Sequence, residues 1–421
     1  MPKKPVLHPL SLAICTALIG TYSIQSIADE TFEQLESLTI VGKRDERISA
    51  GATKLPMDIK ETPQSISVID EESMEDFATT DSNSALLLNS GILVDQYETN
   101  RSRLIARGYA IQMTQIDGLG MSNDWGTIQG QLDTYTLEKI ELIRGANGLL
   151  TGVGNASGTV NYVRKRPTNQ DEGEINLSAG SYSNKRLATD YNKVFTDDGS
   201  WAGRLVFTDE DKDSYIRDLN NERTSFYAVV DGQIGDHGTL TSGFSYQNHN
   251  QDSPMWGSLI LKYADGSGQA DLDQSTSTSQ DWTYWDKQTE NFFIEYLHEL
   301  GDDWEAKLTY NYNKTKSQNR LFYAYGNLQS DNTGLVGWPY SSTSDNTMHQ
   351  LDLNVSGEVE AFDRYHEIIV GASISDRDTA SSTYAFDSSY SGIPLPALPY
   401  GGNVYPEPNW NSLAPNREGN Q

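Results

Sequence analysis

Strict two-residue alternation is what most restricts the fold of this chain. In residues 304–313 the even positions are Trp304, Ala306, Leu308, Tyr310 and Tyr312, while Glu305, Lys307, Thr309, Asn311 and Asn313 fill the odd ones. Residues 240–247 and 351–359 repeat the pattern, with Leu240, Phe244 and Tyr246 in one case and Leu351, Leu353, Val355 and Val359 in the other. Period two places the apolar set on one face of a strand and the polar set on the other, so the chain is expected to be all-β over this part. Alternation alone leaves a soluble sandwich and a barrel equally open.

Connection lengths separate the two. From Gly173 onward about nine strand-like segments follow one another. Short turns (Asp197-Asp198-Gly199, Gly235-Asp236-His237-Gly238, Gly301-Asp302-Asp303, Phe362-Asp363-Arg364) alternate with long polar loops near 210–222, 251–286, 319–346 and 381–421. The first link, residues 181–184, is short although it falls on the long-loop side. Short turns at one end and long loops at the other is the arrangement of an outer-membrane barrel. Composition agrees: 23 Tyr, 8 Trp and 35 Gly accompany modest hydrophobicity, as expected when strands are apolar only on alternate residues. A net charge of -28 repels a phosphate backbone, and no basic stripe offsets it. Nothing after Ile19 reaches the length of a membrane-spanning helix.

The N-terminus has the pattern of an export signal. Lys3 and Lys4 precede an apolar stretch, residues 10–19, and Ser26-Ile27-Ala28 offers small residues at the cleavage positions, so residues 1–28 are expected to be a signal peptide. Ile14 before Cys15 does not fit a lipidation signal, and removal of the leader also removes the only cysteine. The exported chain would then have neither a disulfide nor a thiolate metal site.

Residues 106–167 hold a denser set of signals. Arg107-Gly108-Tyr109 and Ile116-Asp117-Gly118-Leu119 are turn signatures. They are followed by a run in which Ile140, Leu142, Leu149 and Leu150 are apolar anchors and Gly145, Gly148, Gly152, Gly154 and Gly158 permit tight turns. A phosphate-cradling reading competes, but the run has no Gly-Lys-Ser/Thr ending and no dinucleotide fingerprint. In this fixed order the motifs resemble the plug of TonB-dependent outer-membrane siderophore receptors of the ferric hydroxamate, coprogen and pyoverdine kind. Residues 54–69 resemble the first plug strand of that family, and residues 71–89 are expected to be helical, with Met74, Phe77 and residues 86–88 apolar.

The resemblance implies a domain plan: a periplasmic segment over residues 29–53, a mixed α/β plug over 54–167, and the N-terminal part of a transmembrane β-barrel over 168–421. Leu38-Thr39-Ile40-Val41 resembles the TonB box, the extended segment that pairs with the periplasmic energy-coupling protein TonB. So short a mature N-terminus before the plug is expected to leave no room for the signalling domain that some such receptors carry. Receptors of this family close as 22-stranded barrels, and an open sheet would leave backbone groups unpaired in lipid, so the barrel is expected to be incomplete and unable to insert or transport as it stands.

Site residues follow from the same resemblance. Arg107, Glu141 and Arg144 correspond to a plug latch, with Glu305, Lys307 or Glu358 as partners on the wall. Tyr97, Arg101, Arg103, Asn123 and Trp125 fall in turns expected at the plug apex. Trp256, Trp285 and Tyr325, with Trp282, Tyr284, Tyr323 and Trp338, are aromatics of the long loops. Each suits either a ligand wall or the interfacial girdle. The implied activity is TonB-coupled uptake of a ferric siderophore, most simply a hydroxamate, through the cell outer membrane. No cofactor is expected, iron entering only inside its ligand. Uptake of another bulky solute such as a cobalamin or a glycan is the alternative among transporters, and a passive porin or adhesin lacks plug motifs. An enzyme is not expected: the six histidines form no HExxH pair and no serine elbow is present, and residues 265–271 depart from EF-hand spacing.

Overall fold

The computed structural model describes residues 48–49, 51–55, 57–122, 127–145, 157–301, 303–410 and 416–418. The expected signal peptide, the Leu38-Thr39-Ile40-Val41 tetrapeptide, Asn123, Trp125 and the centre of the glycine run lie outside them.

A small domain comes first. Strands β1 (Ile48–Ser49) and β2 (Met57–Asp58) form a hairpin. Strands β3 (Ser65–Asp70), β4 (Leu93–Gln96), β5 (Arg101–Ala106), β6 (Tyr109–Ala110), β7 (Met113–Ile116), β8 (Leu119–Ser122), β9 (Ile128–Gln129), β10 (Leu137–Arg144) and β11 (Gly158–Arg164) make two further sheets. One has the order β3-β10-β11-β7-β8; the other joins β4, β5 and β6, with β9 also pairing β5. Arg107-Gly108 and Asp117-Gly118 each connect antiparallel strands with positive φ at both residues (53° and 83°, 48° and 79°), the geometry that matches strand twist in a two-residue hairpin. Between the sheets Ile69, Met74, Leu86, Leu104, Ile111, Ile140, Leu142 and Val160 form one apolar core.

Residues 71–89 are not one helix. Helix α1 (Glu71–Asp76) ends where Ala78 turns to φ 49°, and helix α2 (Ser82–Leu86) starts anew because the Asp81 carboxylate caps the amides of Asn83 and Ser84. A strong N-cap inside an apolar pattern outweighs periodicity that spans it.

The rest is one antiparallel sheet: β12 (Glu172–Ala179), β13 (Lys185–Val194), β14 (Trp201–Asp213), β15 (Asn220–Ile234), β16 (Gly238–Asp252), β17 (Tyr284–Glu299), β18 (Trp304–Gly326), β19 (Leu335–Ala361) and β20 (Arg364–Thr383) pair in sequence order. Strand β21 (Ile393–Pro394) adds to β19 and β22 (Asn416–Glu418) to β20. The nine long strands agree with the segment count, and the chain has the plug-and-barrel fold, here as an open sheet among the described residues. Residues 210–222 and 319–346, expected as loops, are mostly strand. The backbone ladder continues across each hairpin, and in 319–346 Phe322, Ala324 and Leu335 also give the extension an apolar face. Thus β18 and β19, at 23 and 27 residues, are more than twice the length that crosses a bilayer.

At the long-connection end these extensions meet residues 253–283 and 384–410. Phe322, Leu328, Leu335, Leu395, Leu398 and Tyr405 form a second apolar core there, with Ile260 and Trp282 packed against it. The long connections are therefore held by a hydrophobic roof over that end of the sheet.

Candidate ligand site above the plug

The small domain is fastened to the long-stranded sheet by buried charges. Asp133, fully buried, accepts both Nη groups of Arg186 at 2.8 Å, Nε of Arg223 at 3.1 Å and the Thr208 hydroxyl at 3.0 Å, which come from three successive strands. Glu210 accepts from the same two arginines, so two anions balance two cations. Burial alone would push the Asp133 carboxyl up, but Arg223 and Arg186 outweigh it and hold it below the ordinary carboxylate range. Lys165 bonds Glu71 at 2.5 Å and Asp190 at 2.9 Å. Arg166 joins Asp117 to Glu295, and Arg164 lies 3.7 Å over the Phe293 ring. That ring fits because residue 243 is glycine: a Cβ there would sit 2.4 Å from it. Lys54 reaches Asp352 at 2.6 Å.

These are not the latch residues expected from sequence. Glu141 is buried inside the small domain, where it accepts from Ser49 and Asn161 at 2.9 Å and pairs with Lys139 at 3.2 Å. Arg144 donates to Ser67 in the same domain, and Arg107 is exposed at its hairpin turn. Of the expected wall partners, Lys307 bonds Glu295 and so joins the Arg166 cluster, Glu305 accepts from Ser356, and Glu358 is exposed. Charge type was visible in sequence, but which charges meet depends on how the domain is seated.

Above this fastening lies a cavity of about 520 Å³ between the β4–β5 turn and the long connection 253–283. Tyr97, Glu98, Arg101, Trp256, residues 257–260, Tyr323 and Trp338 line it. Three hydrogen bonds tie its two halves: the Thr99 amide and hydroxyl donate to the Met255 carbonyl, and the Ser258 hydroxyl donates to the Tyr97 carbonyl at 3.2 Å. Trp256 is the centre of an aromatic wall, 5.6 Å from Tyr323, 6.2 Å from Trp338 and 5.1 Å from Tyr340 between ring centroids. Gly257, at φ 84°, lets the backbone pass against Tyr323, where a Cβ would come within 2.5 Å of the ring. Arg101 crosses the floor with its guanidinium 5.5 Å over Trp285. Its Nε and Nη2 grip the two oxygens of Glu98 at 2.5 and 2.8 Å, and that hydrogen-bonded carboxylate raises the arginine's already high pKa.

Of the expected ligand residues, Tyr97, Arg101 and Trp256 meet at this cavity, as do Tyr323 and Trp338. Trp285 is buried beneath Arg101, a support and not a wall. Tyr325 stacks on Tyr323 with rings 8° apart, and Arg103 pairs with Asp95 while covering Tyr97 from 5.1 Å. Glu98 and Tyr340 were missed; Glu98 was detectable as the acidic partner three residues before Arg101. A larger hollow of about 650 Å³, lined by Tyr182, Tyr215 and residues 271–275, contains no residue of the small domain. A ligand there would have no contact with the element that fills the lumen.

Comparison with known proteins gives this geometry a context. Residues 58–159 match the family model of the TonB-dependent receptor plug domain. The chain is 28% identical over 398 residues to the ferric-pyoverdine BN7/BN8 receptor of Pseudomonas putida, covering 90% of this chain and 48% of that one. It is 25% identical over 410 residues to the ferrioxamine receptor of Yersinia enterocolitica, covering 93% and 55%. The crystal structure of the ferripyoverdine receptor of the outer membrane of Pseudomonas aeruginosa, bound to ferripyoverdine, superposes with a TM-score of 0.81 at 26% identity, covering 88% of this chain and 49% of that one. The chain thus spans about half the length of the relatives it matches.

Proposed function

We propose that this chain, a member of the TonB-dependent siderophore-receptor family of the outer membrane, captures a ferric siderophore in the cavity above its plug and passes it inward when the plug is pulled. One observation carries the reading: plug-apex residues and an aromatic wall from the long connections share a single pocket. A ferric siderophore encloses its metal in its own oxygens, so its receptor needs aromatic and hydrogen-bonding surfaces in place of metal ligands. Tyr97, Trp256, Tyr323 and Trp338 supply the first, and Arg101 and Ser258 the second. Iron is cargo in this scheme. The plug fills the lumen, so passage requires work on it, and Leu38-Thr39-Ile40-Val41 is the segment assigned to receive that work from TonB by strand pairing.

Trp256→Ala opens the aromatic wall and is expected to weaken binding of a ferric trihydroxamate by about 1–3 kcal/mol. Tryptophan-fluorescence titration of the protein in detergent measures this. A binding curve superposable on that of the unaltered protein would remove the cavity as the ligand site.

A further inference from the structure

We infer that Glu98 sets the charge selectivity of the cavity: by holding Arg101 in a neutral pair, it adapts the site to an uncharged or cationic ferric complex and against a polyanionic one. The inference rests on the siderophore reading above and adds the ligand's charge class to it.

The geometry is specific. Glu98 is one residue from the tip of the β4–β5 turn, with its carboxylate sealed beneath the arginine: its side chain is 1% exposed and that of Arg101 32%. Both carboxylate oxygens are taken up by Nε and Nη2, and the Arg101 amide adds a third bond at 3.2 Å. Arg101 lines the cavity as a hydrogen-bonding group, but its charge is cancelled at the distance a ligand would occupy. Arg103, the other apex arginine, is paired with Asp95 through Nη2 at 2.7 Å. The remaining walls are aromatic, aliphatic or hydroxyl groups. The chain as a whole carries a net charge of -28, so a polyanion approaching this pocket meets repulsion, and among the described residues that line it the one cation, Arg101, is already paired.

Siderophore chemistry makes this a sharp discriminator. Three monoanionic hydroxamates cancel the charge of ferric iron, whereas three dianionic catecholates leave a trianion. A site with a donor but no net charge suits the first and not the second, since desolvating uncompensated negative charge is costly.

The test uses two ferric complexes on one synthetic tripodal backbone, a trihydroxamate and a tris(catecholamide), titrated into the protein in detergent at low and high salt. The unaltered protein is expected to bind the neutral complex at least about tenfold more tightly, with little salt dependence. Glu98→Gln keeps the shape and frees the guanidinium. It is expected to shift the ratio of the two affinities about tenfold toward the trianion in a salt-sensitive manner, and Glu98→Asp should restore the original ratio. If folded Glu98→Gln shows the original ratio, or the unaltered protein binds the trianion as tightly as the neutral complex, the charge inference is overturned and the siderophore reading stands. If neither complex binds the unaltered protein, both fall. The measurements on the unaltered protein decide the matter even where the variant fails to fold.

Discussion

Among single residues, Asp133 is where the plug depends most on a partner chosen by the tertiary fold. Its carboxylate neutralises two arginines from neighbouring strands, so Asp133→Ala would leave Arg186 and Arg223 facing only Glu210 in a buried site. Breaking one side of such a network is expected to cost about 3–5 kcal/mol, read as a lower midpoint of chemical unfolding in detergent. The pH dependence has a definite sign. The folded carboxyl titrates below the unfolded value of 3.8, so its stabilisation is fully present above that pH and is lost as pH falls through the lower, folded value. Unfolding midpoints recorded on acidification should therefore drop below about pH 4, and the drop should be smaller in Asp133→Asn. Equal acid sensitivity of the two proteins would detach this residue from the effect. In sequence Asp133 was one of 59 acidic residues, with nothing to single it out before Arg186 and Arg223 were seen around it.

Secondary-structure elements tell a different story, because turn chemistry is local. The hairpins at Arg107-Gly108 and Asp117-Gly118 were legible from two residues each, and so was the need for glycine where β11 begins. Gly158 pairs with Arg144 at φ 149°, and a Cβ there would lie 2.4 Å from the Ile143 carbonyl oxygen. Gly158→Val is expected to cost about 1–3 kcal/mol from backbone strain alone and to loosen the β10–β11 pairing at the centre of the plug sheet. Amide exchange would show it as lost protection in residues 140–144 and 158–162, while protection in β14–β16 stays as it was. The long strands were less legible. Their alternating parts were counted correctly, but in β18 and β19 a polar stretch, residues 314–320 and 341–347, separates that alternation from an apolar end that packs under the roof, so the extensions looked like loops.

For the whole molecule, the proposed cycle separates binding from transport. The cavity is assembled from the plug apex and the roof, whereas coupling is assigned to a segment near the N-terminus. Ile40→Pro removes a backbone donor and bars strand pairing. In a full-length version of the protein it is expected to abolish uptake of the ferric complex by cells while leaving its affinity for the cavity unchanged. Retained uptake in that variant would withdraw the TonB-box assignment. The plug must yield for passage, yet it is held by Asp133, Lys165, Arg166 and Lys54 against strands from β13 to β19. Buried ion pairs suit this: they add little net stability when intact but resist being parted one at a time.

By itself the sequence determined the all-β class, the order of plug before strands and the number of long strands. Each of these is written in local periodicity, turn residues or motif order. Only the tertiary structure decided which charges fasten the plug and which groups share the cavity. Lys54 meets Asp352 across 298 residues, and Asp133 meets Arg186 across 53. Alternation states which face a side chain takes, but the partner on that face depends on strand register and on how the plug is seated. Both are set by packing between distant segments, so a period of two cannot carry them.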